Sequence, residues 1–319
     1  GLDYPQVKAI QVFSPEKGSN NKRHPEETPG LVEMLDCNDD NDPAAPNRCK
    51  EAKLSLLKKH SVKWQIISLV ENYEYEGALQ LLRQNRHLFS DISEKLLRHA
   101  VCRRNLMWKD ANKIISSYKG SPLISKAGDF EEFFRVMELR QRKKQLSEFI
   151  IKISPILKEL GEMYLKNISG FDINLCGQKR RDIFRINRDQ MEKSYPGMLS
   201  FIEKEIGNTL KSGPLYYNIM VYMCEYFREY EHKNDKKHNQ LTDIFLRLRN
   251  VEEKVRNLVA HEITNINEEK IENFTAGNVG KGLKSKDILR LLHEAVKIVR
   301  GQDILWDYDE LNNSIIHSL

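Results

Sequence analysis

Residues 241–266 read LTDIFLRLRNVEEKVRNLVAHEITNI, and this stretch organises the rest of the chain. Leu241, Ile244, Leu248, Val251, Val255 and Leu258 recur at spacings of three and four, which predicts one apolar stripe on a long helix. At about 100° per residue, Arg256 and His261 both fall off that stripe, to opposite sides. Asn257 precedes His261 by four residues and shares its face. A guanidinium, an amide and an imidazole are therefore expected to project from a rigid helix without belonging to its core.

Those three groups suit RNA cleavage without a metal. The ribose 2′-hydroxyl must lose a proton, the leaving 5′-oxygen must gain one, and charge on the phosphorane must be offset. Histidine titrates near neutrality and can move the protons. Arginine stays charged and offers a planar fork to phosphate oxygens. Two such helices crossing at a two-fold axis would bring two Arg and two His into one cleft, so a composite dimer site is expected. A plainer reading stands beside this one. Glu252 and Glu253 lie four and three residues before Arg256, the spacing of a surface ion pair, and His261 near a helix end could simply be solvated.

Arg256-Asn257-Leu258-Val259-Ala260-His261 resembles the R-N-x-x-A-H signature of HEPN ribonucleases. Residues 64–82, WQIISLVENYEYEGALQLL, are similar to the helical segment ahead of the nuclease in the CARF–HEPN accessory ribonucleases of CRISPR type III-A systems. Residues 212–217 (SGPLYY), 47–49 (NRC) and 308–312 (YDELN) also look like that group. The resemblance covers most of the chain. It implies a mainly α fold: a helical linker domain over residues 49–168 and a HEPN helical bundle over 169–319. Residues 4–15, YPQVKAIQVFSP, look like the last strand of the CARF sensor of cyclic oligoadenylate, so residues 1–48 are expected to be a short β remnant of that sensor. With most of the sensor outside this sequence, the activator is expected to have little effect on it.

The implied activity is single-strand endoribonuclease action in CRISPR type III antiviral defence, by a homodimer. The resemblance implies that His261 assists proton transfer, that Arg256 holds and neutralises the scissile phosphate and that Asn257 orients His261 or the phosphate. The product would be a 2′,3′-cyclic phosphate. Competing readings are a non-catalytic helical dimerisation module and a nucleotide-binding HEPN-like module.

Composition sets outer limits. The chain has 319 residues, room for two domains with cores of their own. Charged residues make up 30% and mean hydropathy is −0.59; no apolar run reaches a membrane span, and no signal-peptide core is visible. The five cysteines are scattered without a C-x-x-C pair, which points to a reducing, cytoplasmic compartment and away from disulfides or a zinc site. No metal ligands cluster and no cofactor is expected. The net charge of +5 permits nucleic-acid binding without requiring it.

Helices are expected over 52–60, 62–73, 77–84, 91–104, 129–151, 155–165, 189–211, 215–231 and 285–299. A strand is expected over 6–13, with a possible return at 30–35. The densest basic segment, QKRRDIFRINR at 178–188, is expected to be a solvated helix face, with RNA phosphates as the alternative contact. Residues 231–240, EHKNDKKHNQ, are expected to form a charged loop. GNVGKG at 277–282 lacks a phosphate-loop pattern and a preceding strand, which argues against triphosphate binding there.

Overall fold

The computed structural model describes residues 11–13, 49–51, 54–116, 128–167, 170–180, 183–261, 266–276, 281–304 and 307–319; residues 11–13, 49–51, 54–57, 115, 167, 260 and 261 are described by backbone alone. The chain is mainly α-helical, as expected. It divides into two compact units, residues 1–97 with 314–319, and residues 98–313.

In the smaller unit, β1 (Gln11–Phe13) pairs antiparallel with β2 (Cys49–Glu51), Val12 opposite Lys50. The segment 30–35, considered as the returning strand, lies outside the described residues. Helix α1 (Leu54–Glu71) runs unbroken through what the sequence suggests are two helices, because no Gly or Pro interrupts it. It packs on α2 (Tyr75–Gln84) through Val62, Ile66, Val70, Tyr75, Ala78 and Leu82, all buried. Helix α3 (Asp91–Arg104) starts at the expected place, but its opening is held one residue earlier, where Ser90 Oγ accepts from the Ser93 amide. The hydroxyls of Ser90 and Ser93 both donate to the Ser318 carbonyl, at 3.3 and 2.7 Å.

The larger unit begins with the end of α3 and adds α4 (Trp108–Ile115), α5 (Asp129–Arg142) and α6 (Leu146–Asn167). Here α5 and α6 replace the expected helices 129–151 and 155–165. The break falls at the left-handed Lys144, and Pro155 sits inside α6 instead of opening a new helix. Pro155 removes one backbone donor, a cost borne by packing: Phe149, Ile150, Ile153, Leu157, Leu160 and Tyr164 of α6 are fully buried.

A three-stranded antiparallel sheet follows, of β3 (Gly177–Arg180), β4 (Ile183–Ile186) and β5 (Gly213–Pro214). The basic segment is therefore not a helix face. Ile183, Phe184, Arg185 and Ile186 alternate exposed and buried, the period-2 pattern of a strand. Gly177 is required for its closeness: a Cβ there would lie 2.0 Å from the Arg185 carbonyl oxygen. Pro214 lies in β5.

Helices α7 (Arg188–Ser194) and α8 (Pro196–Ile206) share the span read as one helix, separated at Tyr195 because Pro196 cannot continue α7 and instead opens α8. Helix α9 (Tyr217–Tyr226) continues as a π-helical turn, Phe227–Glu231. Helix α10 (Lys236–Asn250) begins inside the segment expected to be a loop. Asp235 caps it by accepting from the Lys237 and His238 amides. His238 is 2% exposed, hydrogen-bonds Tyr164 at 2.7 Å and stacks on His232. The segment supplies core after all, through a polar side chain that hydropathy does not flag.

Helices α11 (Asn257–His261), α12 (Glu268–Thr275), α13 (Ser285–Arg300) and α14 (Tyr308–Ser318) complete the order. Ser285 is the first residue of α13. It is buried, donates to Glu268 and accepts from Gln141 at 3.0 Å. Helices α10 and α13 pack on each other, and α9 and α13 on α6, around the apolar stripe.

Candidate active site

Five of the six expected stripe residues, Leu241, Ile244, Leu248, Val251 and Val255, are at most 4% exposed. At roughly 1.5–3 kcal/mol for each buried side chain, this face anchors the helix firmly. The helix is not one continuous α-helix, however. Residues Val251–Arg256 form a π-helical turn between α10 and α11, a feature common at functional sites. A π-turn carries about one residue more than an α-turn, so a wheel drawn at 100° per residue over-rotates everything after it by about one position. Leu258, the sixth expected stripe residue, is accordingly only partly buried.

Arg256 closes the π-turn and Asn257 opens α11. Arg256 Nη1 donates to the Asn257 amide oxygen at 3.0 Å, with Arg256 half-buried and Asn257 exposed. His261 is the last residue of α11, four after Asn257 and on the same face of that helix.

The expected ion pair from Glu252 or Glu253 to Arg256 is not formed. Glu253 accepts instead from Arg249 Nε at 2.7 Å, and Glu252 from the Ser154 hydroxyl at 3.3 Å. Arg249 is further held by the Tyr222 hydroxyl at 2.7 Å, with its guanidinium 4.4 Å from the Tyr222 ring centre. Burial works against its charge, and the bonds to Glu253 and Tyr222 more than offset that, so its pKa is raised. Arg249 and Arg256 thus differ in kind. Arg249 is built into the fold, whereas Arg256 has no carboxylate partner among the described residues.

Tyr217 buttresses the helix from α9. Its buried hydroxyl donates to the Phe245 carbonyl at 3.1 Å, and burial drives its pKa far upward. Neither this contact nor the Ser154–Glu252 bond is visible in sequence, since each joins residues far apart in the chain. Among the described residues, no three His, Cys, Asp or Glu side chains converge so as to hold a metal ion, and no helix is long and apolar enough to cross a membrane.

A helical bundle carrying Arg-Asn-x-x-Ala-His across a π-to-α junction is of the HEPN class. The chain belongs to the Cas_Csm6 HEPN domain family, whose model matches residues 107–316. The CRISPR-associated protein Csm6 6H domain matches residues 52–104. The two matches meet close to the structural division at Leu97/Arg98, and residues 107–168, expected in the linker, fall inside the HEPN match.

The CRISPR system endoribonuclease Csm6 of Mycobacterium tuberculosis is 26% identical over 99% of this chain and 69% of its own length. Its namesake from Enterococcus italicus is 21% identical over 85% of the chain and 61% of the relative. Csm6′ of Streptococcus thermophilus is 27% identical over 46% and 39%. The chain thus spans between about two-fifths and seven-tenths of these relatives. The solved structure of Enterococcus italicus Csm6 bound to cyclic hexa-2′-fluoro-hexa-dAMP shares the fold over the whole chain and 70% of that protein, with a TM-score of 0.60 and 16% identity.

Proposed function

We propose that this chain is an endoribonuclease of CRISPR type III defence that cuts single-stranded RNA without a metal, at a site shared by two copies. The observation that carries the reading is the Arg256–Asn257 hydrogen bond at the π-to-α junction: a cation without a carboxylate partner among the described residues, beside an exposed amide on the face of His261. Family membership and relatives named as endoribonucleases support it. The 2′-oxygen attacks phosphorus, forming the O2′–P bond of a cyclic phosphate and breaking the P–O5′ bond. His261 assists removal of the 2′-hydroxyl proton or its delivery to O5′. Arg256 offsets charge on the phosphorane, and Asn257 orients Arg256 or His261. Cyclic oligoadenylate is the activator in this scheme, and the ligand of the Enterococcus italicus structure is consistent with that. The chain works in the cytoplasm in this scheme.

Cleavage of a fluorescent RNA in EDTA, wild type beside His261→Ala, tests the proposal. Wild type should cut, leave 2′,3′-cyclic phosphate ends and spare RNA with a deoxyribose 5′ of the cut. His261→Ala should be slower by at least ~10²-fold. Activity per chain should fall on dilution below the dimer dissociation constant. Cleavage of all-DNA strands, or a sedimenting monomer with undiminished activity, would sink the mechanism or the shared site respectively.

A further inference from the structure

The basic segment at 178–188 is unused by this chemistry, and the fold gives it a definite form. Gln178 and Arg185 are cross-strand partners, and Arg180 is two residues from Gln178, so all three lie on one face of the β3–β4 pair. With Asn187, Ser212 and Gly213 they line a recess of about 160 Å³. The Gln178 amide, turned so that its oxygen faces Arg180, accepts from that guanidinium at 2.7 and 3.2 Å and splints it. Beyond Ile186, Ser212 and Gly213, which line both, opens a second cavity of about 390 Å³. That volume lies within the roughly 300–1,000 Å³ of small-molecule sites. Lys211, Asn218 and Tyr216 line it over an apolar floor that includes Ile206 and Ile219.

Three features give the groove one chemistry. First, neither cavity is lined by a carboxylate, and Arg180, Arg185 and Lys211 have no carboxylate partner among the described residues. Neighbouring Arg188, by contrast, is consumed by Glu192 and Glu203. Second, Tyr216 is 63% exposed beside an apolar cavity, a stacking surface held at the start of α9. Third, Ser212 Oγ already accepts from the Arg188 amide at 2.9 Å, which leaves its own proton to donate. Paired guanidinium forks suit phosphate oxygens, and an exposed aromatic beside an apolar cavity suits an unstacked base.

We infer that this groove is a single-stranded RNA subsite separate from the Arg256 centre, with Arg180 and Arg185 on a backbone phosphate and Tyr216 stacking on a base in the larger cavity. That the strand is RNA rests on the ribonuclease reading above.

The test is fluorescence anisotropy with uncleavable 2′-O-methyl RNA across a salt series, using the full chain. Arg180→Ala/Arg185→Ala should weaken binding at least about tenfold and make the salt slope shallower by roughly 0.7, the value for one lost single-strand phosphate. Arg180→Lys/Arg185→Lys should keep most of the slope, and Tyr216→Ala should weaken binding about tenfold with the slope unchanged. Circular dichroism on each variant verifies folding, and the Lys pair, which keeps charge and strand propensity, serves if the Ala pair misfolds. Unchanged affinity in folded Ala variants, or unchanged affinity with an altered dimer mass, overturns the subsite; the latter makes the groove an interface between copies. Wild type that cleaves RNA while the variants bind normally fails the groove alone. Wild type that neither binds nor cleaves fails both readings.

Discussion

Arg256 and Asn257, adjacent in sequence, are joined side chain to side chain by a 3.0 Å hydrogen bond across the junction where the π-turn gives way to α-helix. The bond points the guanidinium at an exposed amide rather than at Glu252, which is occupied by Ser154. The two arginines seven positions apart therefore differ in their partners: Arg249 is held by Glu253 and Tyr222, whereas Arg256 has no carboxylate partner among the described residues.

Arg256→Ala removes no ion pair with a described residue, so stability should stay within about ±0.5 kcal/mol while RNA cleavage falls by at least ~10²-fold. Arg249→Ala removes a hydrogen bond to Glu253, another to Tyr222 and a cation over the Tyr222 ring, and should cost about 1–2 kcal/mol. Thermal melts and initial rates on both variants decide the matter; the reverse pattern would make Arg256 structural.

Deleting Lys254, an exposed residue of the π-turn, removes the extra residue and lets α-geometry run from α10 into α11 with the faces of Asn257 and His261 kept. This variant should fold, melt near the parent and retain cleavage. Deleting Arg247 from the α-helical part instead turns Val251 and Val255 off the core face by about 100° and should abolish folding. Equal tolerance of both deletions would mean the π-turn carries no surplus residue.

Two histidines of the larger unit set opposing pH limbs. His293 lies between Glu138 and Asp303; burial opposes its charge, but hydrogen bonds to both carboxylates outweigh burial and raise its pKa. Its stabilisation is complete below the unfolded value near 6.5 and is lost as pH rises through the raised folded value. His99 is pushed down to about 3, first by burial and then by Arg103, because its Nε2 accepts from Arg103 Nε while Nδ1 donates to the Ala111 carbonyl. The unfolded chain takes up that proton first, so stability falls from about pH 6.5 toward 3. Glu138, held at about 2 by His293 and the Arg135 and Arg142 guanidiniums against its burial, adds to the acid-side loss. Urea unfolding at pH 5, 6.5 and 8.5 should peak near the middle, and His293→Gln should flatten the alkaline limb and, by removing a partner of Glu138, lessen the acid-side loss as well.

Gly177→Ala forces a Cβ to within 2.0 Å of the Arg185 carbonyl oxygen, a clash of backbone with backbone that opens the β3–β4 pair. A loss of more than ~2 kcal/mol is expected. Gly161→Ala meets the Met220 sulfur at 2.8 Å, the flexible end of a side chain, and should cost less. The two melting temperatures, measured side by side, test whether the sheet is as tightly closed as it stands.

The sequence alone determined the helical class, the apolar stripe from Leu241 to Val255 and the candidacy of Arg256, Asn257 and His261, because hydrophobic period and residue chemistry are local properties. The alternation in Ile183–Ile186 was legible too, but the surrounding arginines and lysines pulled the reading toward a solvated helix. Tertiary structure alone decided the rest. A one-residue π-turn leaves no mark on a hydrophobic pattern, yet it re-aims every side chain after it. Which arginine stays without a carboxylate depended on Tyr222 and Ser154, 27 and 98 positions away from the residues they hold. His238 became core only because Tyr164 and His232 met it there. Periodicity reports which face of an element is buried; which partner each polar group finds is settled only when distant segments pack, since every buried donor and acceptor must then be satisfied by whatever the fold brings within reach.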